Sequence, residues 1–375
     1  MKSKSLAIVL GVAALSVAGA FLAISRMSTD STLERGGAFV PEVAEKSAEI
    51  ARIELERGGK SIRLAKDGDT WKVASSDSYP ARFEEVKGLV AGIAALRADD
   101  RMTAKKERHA ELGLAWPDET GHGARVRLYG AGEAPLADLV LGEERANPRS
   151  QFVRRGAEDQ CWRVLGSVLV DIEPRRWVEA EILSIPEGEV RSVVLDGLEI
   201  RAVEGTGGAV GDTANRTQYE ALAPAALAPA GSTEWTEARR TIAARTMPSW
   251  LARLELDDVR RAKGGAADPA ISPSFDMVRG TLKVNAVREG DAVWISFEAR
   301  AKDGAPSAAD INAKKKYPGD PFVPDWSEFA AKHAGWEYRL PAWKLSSLEE
   351  ARKSPAEGES GEGADMPVQL PGAGG

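Results

Sequence analysis

Cysteine is nearly missing from this chain: Cys161 is the only one in 375 residues. A lone thiol makes neither an internal disulfide nor a paired-cysteine zinc site, so the core alone must hold the fold. Its place in the strand-like run QCWRVL points to a packing role. Histidine is almost as scarce. His109, His122 and His333 stand far apart, and no HExxH or His-x-His spacing joins them. His109-Ala110-Glu111 reads as a solvated pair ahead of a loop. No GxSxG run presents a serine nucleophile, so a hydrolase triad has no support. Gly205 to Gly211 (GTGGAVG) lacks the Lys-Ser/Thr that completes a phosphate-binding loop and reads as a flexible loop. A basic stripe is also lacking: 50 basic and 57 acidic residues are interspersed at net charge −7, so no nucleic-acid partner is expected. These gaps leave no catalytic residue, metal or cofactor to name. The expectation is a protein that is not an enzyme.

What is present begins with Leu6–Ile24, an apolar run without one charge. As a helix rising ~1.5 Å per residue it covers roughly 28 Å, close to the hydrocarbon thickness of a bilayer. Lys2 and Lys4 precede it, and positive charge stays cytoplasmic. The run therefore predicts a single-pass signal-anchor in the cytoplasmic (inner) membrane. The bulk of the chain then lies on the periplasmic side, with the lipid bilayer contacted through residues 6–24. Ala18-Gly19-Ala20 would suit a cleaved signal, but the run exceeds the ~7–15 residues of a signal core. No cysteine follows it to carry a lipid.

The composition, 43% hydrophobic and 29% charged, has room for two domains of ordinary size. The fold class expected is α+β: the transmembrane helix, then two repeated units, each an antiparallel β-meander with a covering helix and further β-hairpins. Residues 1–27 form the anchor and 28–48 a polar linker with Gly36-Gly37 and Pro41. Residues 49–172 form the first repeat. Its meander runs through Ile50 to Leu55, Ser61 to Ala65 and Thr70 to Val73, with Ile62, Leu64, Trp71 and Val73 inward. After Pro80, the spacing of Phe83, Val86, Leu89, Val90, Ile93 and Leu96 predicts a helix across it. Strands follow at Arg125–Tyr129, Leu136–Leu141, Gln151–Arg154 and Cys161–Leu165.

Residues 173–345 form the second repeat. Glu189–Leu195 echoes Glu49–Leu55, and Leu198–Arg201 echoes Ser61–Leu64. Leu251–Asp258 parallels Ile93–Asp100. The alternation of Leu282, Val284, Ala286, Val293, Ile295 and Phe297 parallels Val126–Leu141. Residues 204–232, rich in Gly, Ala, Pro and Thr, read as a long exposed loop. Trp326–His333 reads as a short helix and Gly335–Pro341 as a last strand, while residues 346–375 cannot bury a core and read as a disordered tail.

Two sets of residues stand out as partner-binding candidates. Asp99-Asp100 and Asp257-Asp258 are read as ending the two long helices, where carboxylates oppose the macrodipole. They would seat basic residues of a partner or a cation, or else pair with Arg101, Arg260 and Arg261. Trp71, Trp162 and Trp294 read as core. Trp326, Trp336 and Trp343 cluster near the end and offer either a stacking face or more core.

The anchor, the opening KSIRLAKDGDTWKV, the helix FEEVKGLVAGIAAL running to DDR and ELGL, the recurrence of that unit and the closing GWEYRLPAW together resemble the domain-of-unknown-function 4340 family of bacteria. The likeness covers nearly all of residues 49–345. It implies partnership with ABC transporters of the gliding-motility type and supplies no catalytic residue. The functional expectation is a membrane-anchored extracytoplasmic binding or scaffold subunit beside a transporter permease or its auxiliary subunits. The rival is a periplasmic ligand- or glycan-binding or -processing protein using a cleft between the repeats.

Overall fold

The computed structural model describes residues 34–118, 121–185, 187–206, 217–222, 237–263, 271–304 and 324–346. The apolar run Leu6–Ile24, the tail after 346 and most of 204–232 and 303–325 lie outside the described residues. Among the described residues no helix is long and apolar enough to cross a membrane. Helices and strands are mixed and antiparallel sheets dominate. The chain divides into two compact units after Val178.

In the first unit the chain opens with α1 (Pro41–Glu45) and then β1 (Arg52–Arg57), β2 (Lys60–Asp67), β3 (Thr70–Val73) and the short β4 (Tyr79–Pro80). Gly58 and Gly59 make the first turn with φ of 55° and 72°, the left-handed values a two-residue hairpin demands. Next come α2 (Phe83–Ala94) and β5 (Arg97–Arg101). Four longer strands complete the unit: β6 (Ala124–Tyr129), β7 (Pro135–Arg145), β8 (Ser150–Arg155) and β9 (Cys161–Leu165), ahead of α3 (Pro174–Trp177). The nine strands form one antiparallel sheet in the order β4-β3-β2-β1-β6-β7-β8-β9-β5. Ile53, Leu55, Ile62, Leu64, Trp71, Val73, Val126, Leu128 and Leu139 share its inner face and are buried. Val86, Leu89 and Ile93 of α2 are buried as well, but Phe83, expected in the same stripe, is 56% exposed in the first turn.

The second unit begins with β10 (Glu181–Leu183), β11 (Val190–Leu195), β12 (Leu198–Ala202) and β13 (Tyr219–Leu222). After α4 (Glu237–Thr246) come β14 (Leu254–Glu255) and β15 (Asp258–Arg261). The unit ends with β16 (Ser274–Met277), β17 (Gly280–Glu289), β18 (Ala292–Ala301), α5 (Trp326–His333) and β19 (Trp336–Arg339). The sheet order is β13-β12-β11-β16-β17-β18-β19-β15, which repeats β3-β2-β1-β6-β7-β8-β9-β5 strand for strand. Helix α5 is extra. It packs on β18, where Phe297, Phe329, His333 and Tyr338 form a ring cluster.

Several expectations need correcting. The second part of the supposed 28–48 linker belongs to the fold: Phe39 and Val43 are fully buried, Gly36 and Gly37 hydrogen-bond to Ala98 of β5, and Phe39 N–H donates to Leu96 just before it. Few apolar residues in a polar stretch were enough, because they meet a free sheet edge. The 204–232 stretch contains β13, which pairs with β12. The alternation of Leu282 to Phe297 lies one strand further along the sheet than its parallel with Val126–Leu141 implies. The missed short strand β16 takes the place of β6, so β17 and β18 stand where β7 and β8 stand.

Candidate functional site

Neither acidic pair ends a helix. Asp99 and Asp100 lie on β5 and Asp258 opens β15, with Asp257 just before it. The ladder slips between β5 and β9: Ala98 faces Val164 and Asp100 faces Arg163, leaving Asp99 as an extra residue. Such a bulge turns neighbouring side chains the same way. Both carboxylates consequently reach Arg163, whose Nε donates to Asp99 Oδ2 at 2.8 Å while Nη2 bonds Asp100. Arg35 Nε also donates to Asp99 at 2.9 Å. Arg163 first, then Arg35, holds the Asp99 carboxyl below the usual range. In the second unit the register sets Asp258 opposite Arg339, with Nη2 4.0 Å from Oδ2. Asp99 and Asp100 thus pair with Arg163 and Arg35, and Asp258 lies nearest Arg339. Arg260 instead forks onto Glu289, bonds Glu337 and stacks 3.8 Å over Trp294. With Lys263 it lowers the Glu289 carboxyl to about 2.

The late tryptophans do not form one face. Trp326 and Trp336 are buried, the former lying over Gly280, where a Cβ would meet its ring at 2.4 Å. Only Trp343 is exposed, at 67%. Trp71, Trp162 and Trp294 are buried as the core reading has it, and so is Cys161, packed with Leu114, Val140 and Phe152. His109 corrects its solvated reading: it is buried, with Nε2 2.9 Å from the Asp159 carbonyl oxygen.

The outward face of the first sheet carries a feature that the sequence reading passed over. One end is roofed by the chain around Leu112 and Leu114, which packs on Val140, Phe152 and Cys161. The rest is a lattice of arginines and carboxylates on adjacent strands. Glu54 bridges Arg52, Arg63 and Arg127 and accepts from the Tyr129 hydroxyl. Glu56 joins Arg125 and Arg127. Asp138 takes both arms of Arg125 at 2.8 and 2.7 Å. Trp116, 44% exposed, lies between roof and lattice with Arg125 4.5 Å and Arg154 5.4 Å from its ring centre. The available signal was the alternation Arg125-Val126-Arg127-Leu128, which puts charge on one face and core on the other.

Among the described residues each unit carries a concavity. One of about 270 Å³ in the first unit is lined by Arg57, His122, Glu143, Glu144 and Leu169. A larger one of about 580 Å³ lies over β11, β12 and β16 in the second unit. Its floor includes Arg201, Ser192 and Asp276, which stand in register across the three strands.

The family described as Domain of unknown function (DUF4340) matches residues 71–271, more than half of the chain. The chain belongs to that family. The match runs from β3 of the first unit across the Val178–Glu179 division to Ile271, so the family's domain draws on both units. No curated protein and no solved structure matches the chain.

Proposed function

We propose that this DUF4340 protein is an extracytoplasmic scaffold or binding subunit, held to the cytoplasmic membrane by residues 6–24 and serving an ABC-type transport or export complex. The observation that carries this reading is the outward lattice of the first sheet. Arg52, Arg63, Arg125 and Arg127 are fixed against Glu54, Glu56 and Asp138 on rigid strands, beside the exposed Trp116. Charged groups already ordered in this way lose little freedom when a partner docks, and an aromatic at the rim supplies an anchor.

The test is recovery of the tagged full chain from mild detergent. A transporter permease or its ATPase is expected with it, and Arg127→Glu with Trp116→Ala is expected to abolish that recovery while circular dichroism stays unchanged. Recovery with no transporter subunit overturns the proposal. A second reading, a periplasmic ligand-binding protein, is favoured by the cavity of about 580 Å³ within the second unit. That site differs from the cleft between repeats first expected.

A further inference from the structure

The cavity over β11, β12 and β16 is built by the backbone. Between β11 and β16 the ladder steps from Val190 opposite Met277 to Ser192 opposite Asp276, so Arg191 is an extra, bulged residue. A bulge re-aims a side chain, and both Arg191 and Ser192 line the cavity. The bulge is pinned by the Tyr219 hydroxyl, which donates to the Val190 carbonyl at 2.9 Å. The wall is pinned too: Val203 N–H donates to Gln218 O at 2.8 Å, and the Thr206 hydroxyl donates to Val203 O at 2.7 Å while accepting from Gln218 N–H.

The charges around the cavity fall into two groups. Arg201 is taken by Glu199 at 2.7 Å and Asp276 by Lys302 at 2.7 Å. Arg191 and Glu204 are both exposed lining residues, and neither forms an ion pair or side-chain hydrogen bond among the described residues. One unspent cation and one unspent anion thus border the same polar hollow, whose floor adds the Ser192 hydroxyl and whose wall adds Thr206. A volume of about 580 Å³ is within the range of small-molecule sites. A single anion would leave Glu204 repelling it, and a single cation would leave Arg191 doing the same.

We propose that this cavity binds a small zwitterion, an amino acid or a short peptide with free termini, its carboxylate on Arg191 and its ammonium on Glu204. The inference develops the ligand-binding reading and does not depend on the scaffold reading.

Calorimetric titration of the full chain in mild detergent tests it, with alanyl-alanine as probe and acetate and methylammonium as its separate halves. The dipeptide is expected to bind more tightly than either half. Arg191→Gln and Glu204→Gln, both at exposed positions, are each expected to weaken it roughly two- to fivefold, as loss of one solvent-facing ion pair does. Absence of dipeptide binding at millimolar concentration overturns the proposal, as does unchanged affinity in both variants. Acetate competing as well as the dipeptide also overturns it and leaves a simple anion site. Transporter recovery reads the first sheet and is expected to be unaffected by Arg191→Gln, so failure of either proposal is distinguishable from failure of the other.

Discussion

At the scale of single residues, the groups that first suggest chemistry are the ones the fold has most thoroughly used up. Cys161 is fully buried among Leu114, Val140 and Phe152, and burial raises its thiol above the ordinary value. Thiolate is the reactive form, so the native chain is expected to resist iodoacetamide at pH 8 and to react once unfolded. Mass spectrometry of the alkylated chain checks this; fast native labelling contradicts the packing. His333 is similar. It is 3% exposed, its Nδ1 is hydrogen-bonded to the Tyr338 hydroxyl at 2.6 Å, and burial, with a smaller push from Lys332, lowers it to about 4. Because the folded value lies below the ordinary 6.5, the unfolded chain takes up the proton first as pH falls. Its contribution to stability is complete above pH 6.5 and is lost between 6.5 and about 4. The loss is at most about 3 kcal/mol. Denaturant midpoints of the second unit measured across that window should decline, and His333→Gln should flatten the decline.

Among elements, the sharpest contrast lies between what period reveals and what pairing reveals. The meander β1 to β3, the strands β6 to β9, helix α5 and β19 all follow from alternation or helical spacing, because burial imposes that period directly. The bulges on β5 and β11 leave no such trace. An extra residue is visible only against the strand it faces, so Asp99 reads as a helix exit and nothing in the sequence singles out Arg191. Strands β13 and β16 are short, with four residues each, and sit in surroundings whose composition reads as loop. The Gly36–Phe39 segment is a comparable case. Phe39 is fully buried, with its ring 6.3 Å from that of Trp162 in an edge-on contact. Phe39→Ala is expected to cost about 3–5 kcal/mol in chemical denaturation. A cost under 1 kcal/mol would return the segment to the status of a tether.

For the molecule as a whole, one strand order serves twice with different surfaces. The first unit lays a lattice of ion pairs over β1, β2, β6 and β7; the second hollows β11, β12 and β16, the counterparts of β1, β2 and β6, beside Arg191 and Glu204 and adds α5 before its last strand. If residues 6–24 span the membrane as proposed, protease added to intact spheroplasts should digest the bulk of the chain. Protection of that bulk would reverse the orientation. The first strand-like contact after such an anchor is not free chain. Gly36 N–H and Phe39 N–H donate to Ala98 and Leu96 carbonyls, Ala98 N–H donates to Gly37 O, and Arg35 grips Asp99. Any tension arriving from a tethered N-terminus would therefore load the outermost strand of the first sheet, β5, before it reached the interior. These few bonds would act as a mechanical fuse, yielding under traction while the nine-stranded sheet stayed intact.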